Sequence, residues 1–176
     1  MVATKVGYAG GTTVDPDYHH TGDHRESVEV TYDPTRTSYA RLLDVFWAAH
    51  PAVGGEGPRR TSEAALVAGE EQRRLAVASR RRVACAAGEA VNTRVEPVGR
   101  FWVAESSNQK ANLQRRAPEL VEELAARFGG RDAFLASTAA AKLNAYAGGF
   151  AGEEALDDAA RELGLPASEL KARIRR

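Results

Sequence analysis

A chain of 176 residues with 24 Lys and Arg against 24 Asp and Glu has no net charge to draw it to nucleic acid or to an anionic membrane. Its length is about that of one domain, no apolar run approaches the roughly 20 residues that span a bilayer, and the start lacks the basic-then-apolar layout of a secretory signal. A single cysteine, Cys85, excludes an intrachain disulfide and a four-cysteine zinc site. The expectation is a cytoplasmic monomer with neither nucleic acid nor membrane as partner.

In chain order, residues 3 to 8 and 27 to 32 are short and rich in β-branched side chains, and Ser27-Val-Glu-Val-Thr-Tyr32 alternates as a half-buried strand does. Between them runs a loop dense in turn formers: Gly10, Gly11, Asp15-Pro16-Asp17 and Gly22-Asp23. Leu42, Leu43, Val45, Phe46 and Ala49 recur near helical spacing and predict an amphipathic helix over 38–50, ended by Pro51 and the glycines 54, 55 and 57. A strand over 63–68, an arginine-rich helix over 70–87 and a strand over 92–98 follow. Arg73, Arg74 and Arg80 to Arg82 read as a solvated helix face, because no aromatic residues interleave with them as in a nucleic-acid patch.

After Phe101-Trp102 the composition turns to Ala, Leu and Glu, and the chain reads as helical from about residue 106. Pro118 starts one helix and Gly129-Gly130 stops it. Asp132 is placed to cap the next, which runs toward Tyr146 before Gly148-Gly149. A helix pair over 153–163 and from 168 onward is divided by Gly164 and Pro166. Cys85, near the end of the 70–87 helix, reads as a small buried core thiol.

Val6-Gly-Tyr-Ala-Gly-Gly11, Asp15-Pro-Asp-Tyr18, Gly22-Asp-His-Arg-Glu26, Gly99-Arg-Phe-Trp-Val-Ala-Glu105 and Leu135-Ala-Ser-Thr-Ala-Ala-Ala-Lys-Leu-Asn144 form an ordered set. This set resembles the A-type peptide methionine sulfoxide reductases, from Ala3 to about Phe150. The resemblance implies an α/β fold: a two-layer mixed sheet with packed helices and a ferredoxin-like core. It implies a reductase domain over 1–150 with a C-terminal helical extension over 151–176. It further implies reduction of methionine-S-sulfoxide in proteins as protein repair, with no cofactor and with thioredoxin or another thiol as reductant. An oxidised-methionine peptide or protein would be the substrate.

Such chemistry needs a thiolate to attack sulfur, a proton donor for the sulfoxide oxygen, and an apolar wall around the methyl group. By the resemblance Glu26 stands where the acid catalyst sits, and Tyr18 where a phenol binds the sulfoxide oxygen. Thr61 stands where the family carries a second tyrosine. The family segment Tyr-His-Gln-Lys-Tyr is here Ser107-Asn-Gln-Lys-Ala111, and His50-Pro51-Ala52-Val53 with Glu56 replaces a His-Asp-Pro-Thr segment. The family's nucleophilic cysteine lies in a Gly-Cys-Phe-Trp-Gly motif upstream of the Gly-Tyr-x-Gly-Gly turn, and Cys85 matches no catalytic position. Two readings stay open. In one, Met1-Val-Ala-Thr-Lys marks a start assigned too late, and the motif is encoded upstream. In the other, the motif is lost, in keeping with Thr61, Asn108 and Ala111. Either way the chain as written is expected to be impaired or inactive, with a non-catalytic ligand- or peptide-binding protein as the alternative.

Overall fold

The computed structural model describes residues 3–49 and 63–174. The fold is α/β, as the resemblance implies, with strands of both relative directions and eight α-helices among the described residues. The strands divide between two small sheets. β1 (Ala3–Ala9) lies between β2 (Arg25–Thr31) and the short β5 (Trp102–Val103). Gly7 is antiparallel to Val103, and Tyr8 to Trp102. β3 (Ala64–Val67) pairs in parallel with β4 (Arg94–Pro97), Ala65 opposite Val95.

By contact density the chain forms two compact units: Met1–Val6, Glu29–Thr31 and Ala104–Arg176 in one, Gly7–Val28 and Tyr32–Val103 in the other. The second contains α1 (Tyr39–Ala49); His50, the expected end of this helix, and residues 51–62 lie outside the described residues. It also contains α2 (Glu70–Ala87), the crossover that a parallel β3–β4 pair requires. Glu70 and Glu71 stand in the first turn of α2, where the helix dipole favours negative charge, and Gly88 ends it. Leu43, Ala65, Val67 and Ala76 form the buried centre, with Phe46, Trp47, Leu75 and Val95 packed on it. The Trp47 indole N–H donates to the Ser79 hydroxyl, which satisfies a polar group that burial would otherwise penalise.

On α2 the sequence expectation for Cys85 fails: its side chain is exposed. At about 100° per residue, position 85 lies on the opposite side of the helix from buried Ala76. The thiol therefore faces away from the core. The arginines behave as read: Arg73 pairs with Glu70, Arg74 with Glu71 and Arg82 with Asp44, all at exposed positions. No described helix is long and apolar enough to cross a membrane.

The other unit is built around α3 (Ala111–Arg116), α4 (Pro118–Arg127), α5 (Arg131–Leu135), α6 (Thr138–Ala147), α7 (Glu153–Leu163) and α8 (Ala167–Arg173). Leu113, Leu124, Phe134, Leu143, Leu156 and Leu170 are each within 2 % of complete burial and belong to one cluster. The helix expected to run unbroken toward Tyr146 is instead two. Ser137 accepts from the Ala140 N–H and caps α6 anew. Asp132 does not cap: Gly130 holds the cap position of α5, and the Asp132 carboxylate accepts a hydrogen bond from the Ser106 hydroxyl.

Gln109 and Lys110, kept from the family segment whose flanking residues are replaced, are both buried. The Gln109 carboxamide serves as a one-residue strand partner for β1. Its Oε1 accepts from the Val6 N–H at 2.9 Å, and its Nε2 donates to the carbonyls of Val6 at 2.8 Å and Ala104 at 3.1 Å. Lys110 reaches the Thr4 carbonyl with Nζ at 2.7 Å, and burial lowers its pKa to about 8. Gln109→Leu leaves three backbone groups without this partner, and is expected to destabilise the chain by roughly 2–4 kcal/mol in urea unfolding. Leu113→Met on the neighbouring helix, a swap that conserves volume, should cost less than about 1.5 kcal/mol.

Candidate functional site

The loop from Gly10 to His24 returns on itself, and two adjacent residues close it. The Asp23 carboxylate accepts from the Thr12 N–H at 2.9 Å and the Thr13 N–H at 3.0 Å. It also accepts hydrogen bonds from the hydroxyls of Thr12 at 3.0 Å and Thr13 at 2.8 Å. These donors, the Thr13 amide foremost, hold the Asp23 carboxyl far below the usual carboxylate range. His24, 1 % exposed, binds the same stretch through its ring: Gly11 N–H donates to Nδ1 at 3.2 Å, and Nε2 lies 2.8 Å from the Thr13 carbonyl.

Two glycines make this closure possible. A Cβ on Gly11 would stand 2.6 Å from Asp23 Oδ1 and 2.7 Å from the His24 nitrogen, too close for any side chain. Gly22 adopts φ +57°, and a Cβ there would collide with Thr13.

Tyr18 and Glu26 are placed by this frame. Tyr18 lies within the loop, half exposed, with its ring edge-on to His19 at 5.4 Å. Its approach is fixed by Asp17, whose Oδ1 accepts from the His19 and His20 amides at 2.7 Å each. Glu26 is the second residue of β2 and exposed; Arg25 before it is buried. Successive side chains of a strand point to opposite faces. The Arg25 guanidinium grips Glu96 of β4 in a fork, Nε to Oε2 at 3.3 Å and Nη2 to Oε1 at 3.0 Å. Breaking such a buried pair costs several kcal/mol, so the strand is held against rotation and the Glu26 carboxyl stays on the open side.

Asp23, His24, Arg25 and Glu96 carry the architecture of the site, and sequence reading singled out none of them for it. The signal was the run Gly22-Asp-His-Arg-Glu26 itself, in which only the last residue had been given a role. Thr61, His50 and Glu56 lie outside the described residues. Asn108 sits in a 3-10 turn, where its amide donates to Glu105 at 2.9 Å, and Ala111 opens α3. Among the described residues no three His, Cys, Asp or Glu side chains are grouped to hold a metal ion.

Because the folded state depresses the Asp23 pKa, Asp23 adds stability above the unfolded carboxylate value of about 3.9, and loses it as pH falls below that. Asp23→Ala should abolish this part of the acid transition. In hydrogen exchange it should release the Thr12 and Thr13 amides at least tenfold at neutral pH, leaving those of α4 unchanged.

Residues 1–126 match the model of a family described as peptide methionine sulfoxide reductase. The chain is 39 % identical to the rice (Oryza sativa subsp. japonica) peptide methionine sulfoxide reductase A5 over 155 residues, 84 % of this chain and 59 % of that protein. It is 36 % identical to a Drosophila melanogaster peptide methionine sulfoxide reductase over 173 residues, 94 % of this chain and 66 % of the relative. The chain thus spans about three fifths to two thirds of the length of these curated relatives. The crystal structure of Mxr1 from Saccharomyces cerevisiae in reduced form superposes with a TM-score of 0.50 at 21 % identity, over 59 % of this chain and 66 % of that one, a likeness of fold. By the family match and these relatives, the chain is a member of the peptide methionine sulfoxide reductase family, of the A type.

Proposed function

We propose that this chain carries the oxygen-handling half of a methionine-S-sulfoxide site, and that the 176-residue polypeptide binds the sulfoxide without reducing it. Reduction takes two electrons from two thiols, which end as a disulfide while the sulfoxide oxygen leaves as water. Oxygen leaves sulfur only when protonated. The Glu26 carboxylic acid is the donor of that proton, and the Tyr18 phenol donates a hydrogen bond to the oxygen in the bound state. The observation that supports this reading is the pairing of an exposed acid and an exposed phenol with a loop braced from within by Asp23 and His24.

The remaining requirement is a thiolate. Cys85 is the single cysteine of the 176 residues, and it lies exposed on α2 on the side opposite the core. That position supports the reading of a binding protein over that of a reductase for this polypeptide. With a nucleophile supplied, the substrate would be oxidised methionine in a peptide or protein, and the electrons would come from an external thiol of thioredoxin type. The chain is proposed to act as a monomer in the cytoplasm.

Incubation with dithiothreitol and a peptide containing methionine-S-sulfoxide should give no methionine above the thiol-only blank. Methionine formed by the wild type, whether or not it survives Cys85→Ser, would contradict this account. In the same peptide's binding isotherm, Tyr18→Phe should weaken affinity roughly tenfold, the worth of one hydrogen bond.

A further inference from the structure

We propose that His24 is a positioning residue, closing the Tyr18 loop only as the neutral imidazole that carries its proton on Nε2. The ring has two partners of opposite kind. Gly11 N–H is a donor, so Nδ1 at 3.2 Å must offer a lone pair; the Thr13 carbonyl is an acceptor, so Nε2 at 2.8 Å must offer a proton. One tautomer satisfies both. The other sets N–H against N–H at one end and lone pair against lone pair at the other, and the imidazolium sets N–H against the Gly11 N–H.

The position gives this choice its leverage. Asp23 and His24, neighbours in sequence, together hold four backbone groups of residues 11–13: the three amide protons and the Thr13 carbonyl. At 1 % exposure the ring has no water to take over a bond that protonation breaks. The charged residues that flank it in sequence have partners of their own: Asp23 holds Thr12 and Thr13, and Arg25 forks Glu96 on β4, which Arg94 also approaches, while Asp17 holds the His19 and His20 amides farther along the loop. Asp15 and the His19 and His20 rings lie on exposed residues of the same loop. A protonated His24 would thus loosen the first limb of the loop at Gly11, and with it the placement of Tyr18.

The effect on sulfoxide binding rests on the reading of Tyr18 and Glu26 given above; the tautomer and the clasp do not. The test uses the whole chain labelled with nitrogen-15. Ring nitrogen shifts of His24 and amide exchange at Gly11 are followed from neutral to acidic pH, alongside affinity for the methionine-S-sulfoxide peptide. The expected result is the Nε2–H tautomer at neutral pH. On acidification, as the His24 ring becomes protonated, the protection of the Gly11 amide relative to its intrinsic exchange rate should fall at least tenfold, and peptide binding should weaken with it. His24→Asn, whose Oδ1 can stand where Nδ1 stands, should keep Gly11 protected and make the affinity insensitive to pH in that range. His24→Leu should lose affinity tenfold or more. An Nδ1–H tautomer, or a ring that titrates while Gly11 stays protected, would overturn the proposal. If the ring and Gly11 behave as expected while the wild type binds no sulfoxide at neutral pH, the clasp stands and the reading of Tyr18 and Glu26 falls.

Discussion

Two side chains, the Asp23 carboxylate and the His24 imidazole, take hold of residues 11 to 13 from ten to thirteen positions away in the chain, and the placement of Tyr18 descends from that closure. An open loop of this length pays conformational entropy of about 1–2 kcal/mol per ordered residue, against which single hydrogen bonds of about 1 kcal/mol would lose. Several bonds concentrated on one carboxylate and one ring, with the carboxylate charged and the ring buried, change that balance. The two glycines at positions 11 and 22 then follow as requirements, since any side chain there would occupy the space the carboxylate and Thr13 need. Glu26 inherits its direction from the next link, the Arg25–Glu96 fork, because successive side chains of a strand point to opposite faces and here Arg25 is buried and Glu26 exposed.

A similar device acts in the helical unit. There the Gln109 carboxamide imitates a peptide group and completes the hydrogen bonding of Val6, while Lys110 spends a buried ammonium on the Thr4 carbonyl. In both places a polar side chain does work that regular secondary structure would otherwise do. The buried apolar cluster of α3 to α8 belongs to that unit, whereas Asp23 and His24 belong to the other.

How much of this was legible in the sequence depends on the kind of signal. α1, α2 and the strands β1 to β4 are legible from periodicity and β-branched composition, with observed bounds within about two residues of those expected, although Val28 and Val45 turn out exposed; the two-residue β5 is too short to leave such a signal. The break between α5 and α6 was hidden because Ala136-Ser-Thr-Ala fits an unbroken helix as well as a capped restart. Cys85 departs from expectation because residue type favours burial of cysteine, whereas its angle on α2 turns it to solvent. The clasp and the Gln109 mimic left no periodic trace at all: they join a side chain to a distant backbone, and only the motif resemblance hinted that Gly-Asp-His-Arg-Glu and Gln-Lys were kept together. Thr61 belongs to the residues that are not described, so its part in the site rests on the resemblance alone.

Sulfoxide reduction joins two chemical tasks. Handling the oxygen needs an acid and a phenol, the roles proposed for Glu26 and Tyr18. Handling the sulfur needs a thiolate, and the single thiol of these 176 residues stands on a helix face turned from the core. The most direct measurement of this division is a nitrogen-15 titration of the chain with peptides bearing the S and the R epimer of methionine sulfoxide. The account predicts shift changes centred on residues 17–26 with the S epimer and little response to the R epimer. Equal responses to both, or changes confined to residues outside that segment, would contradict it.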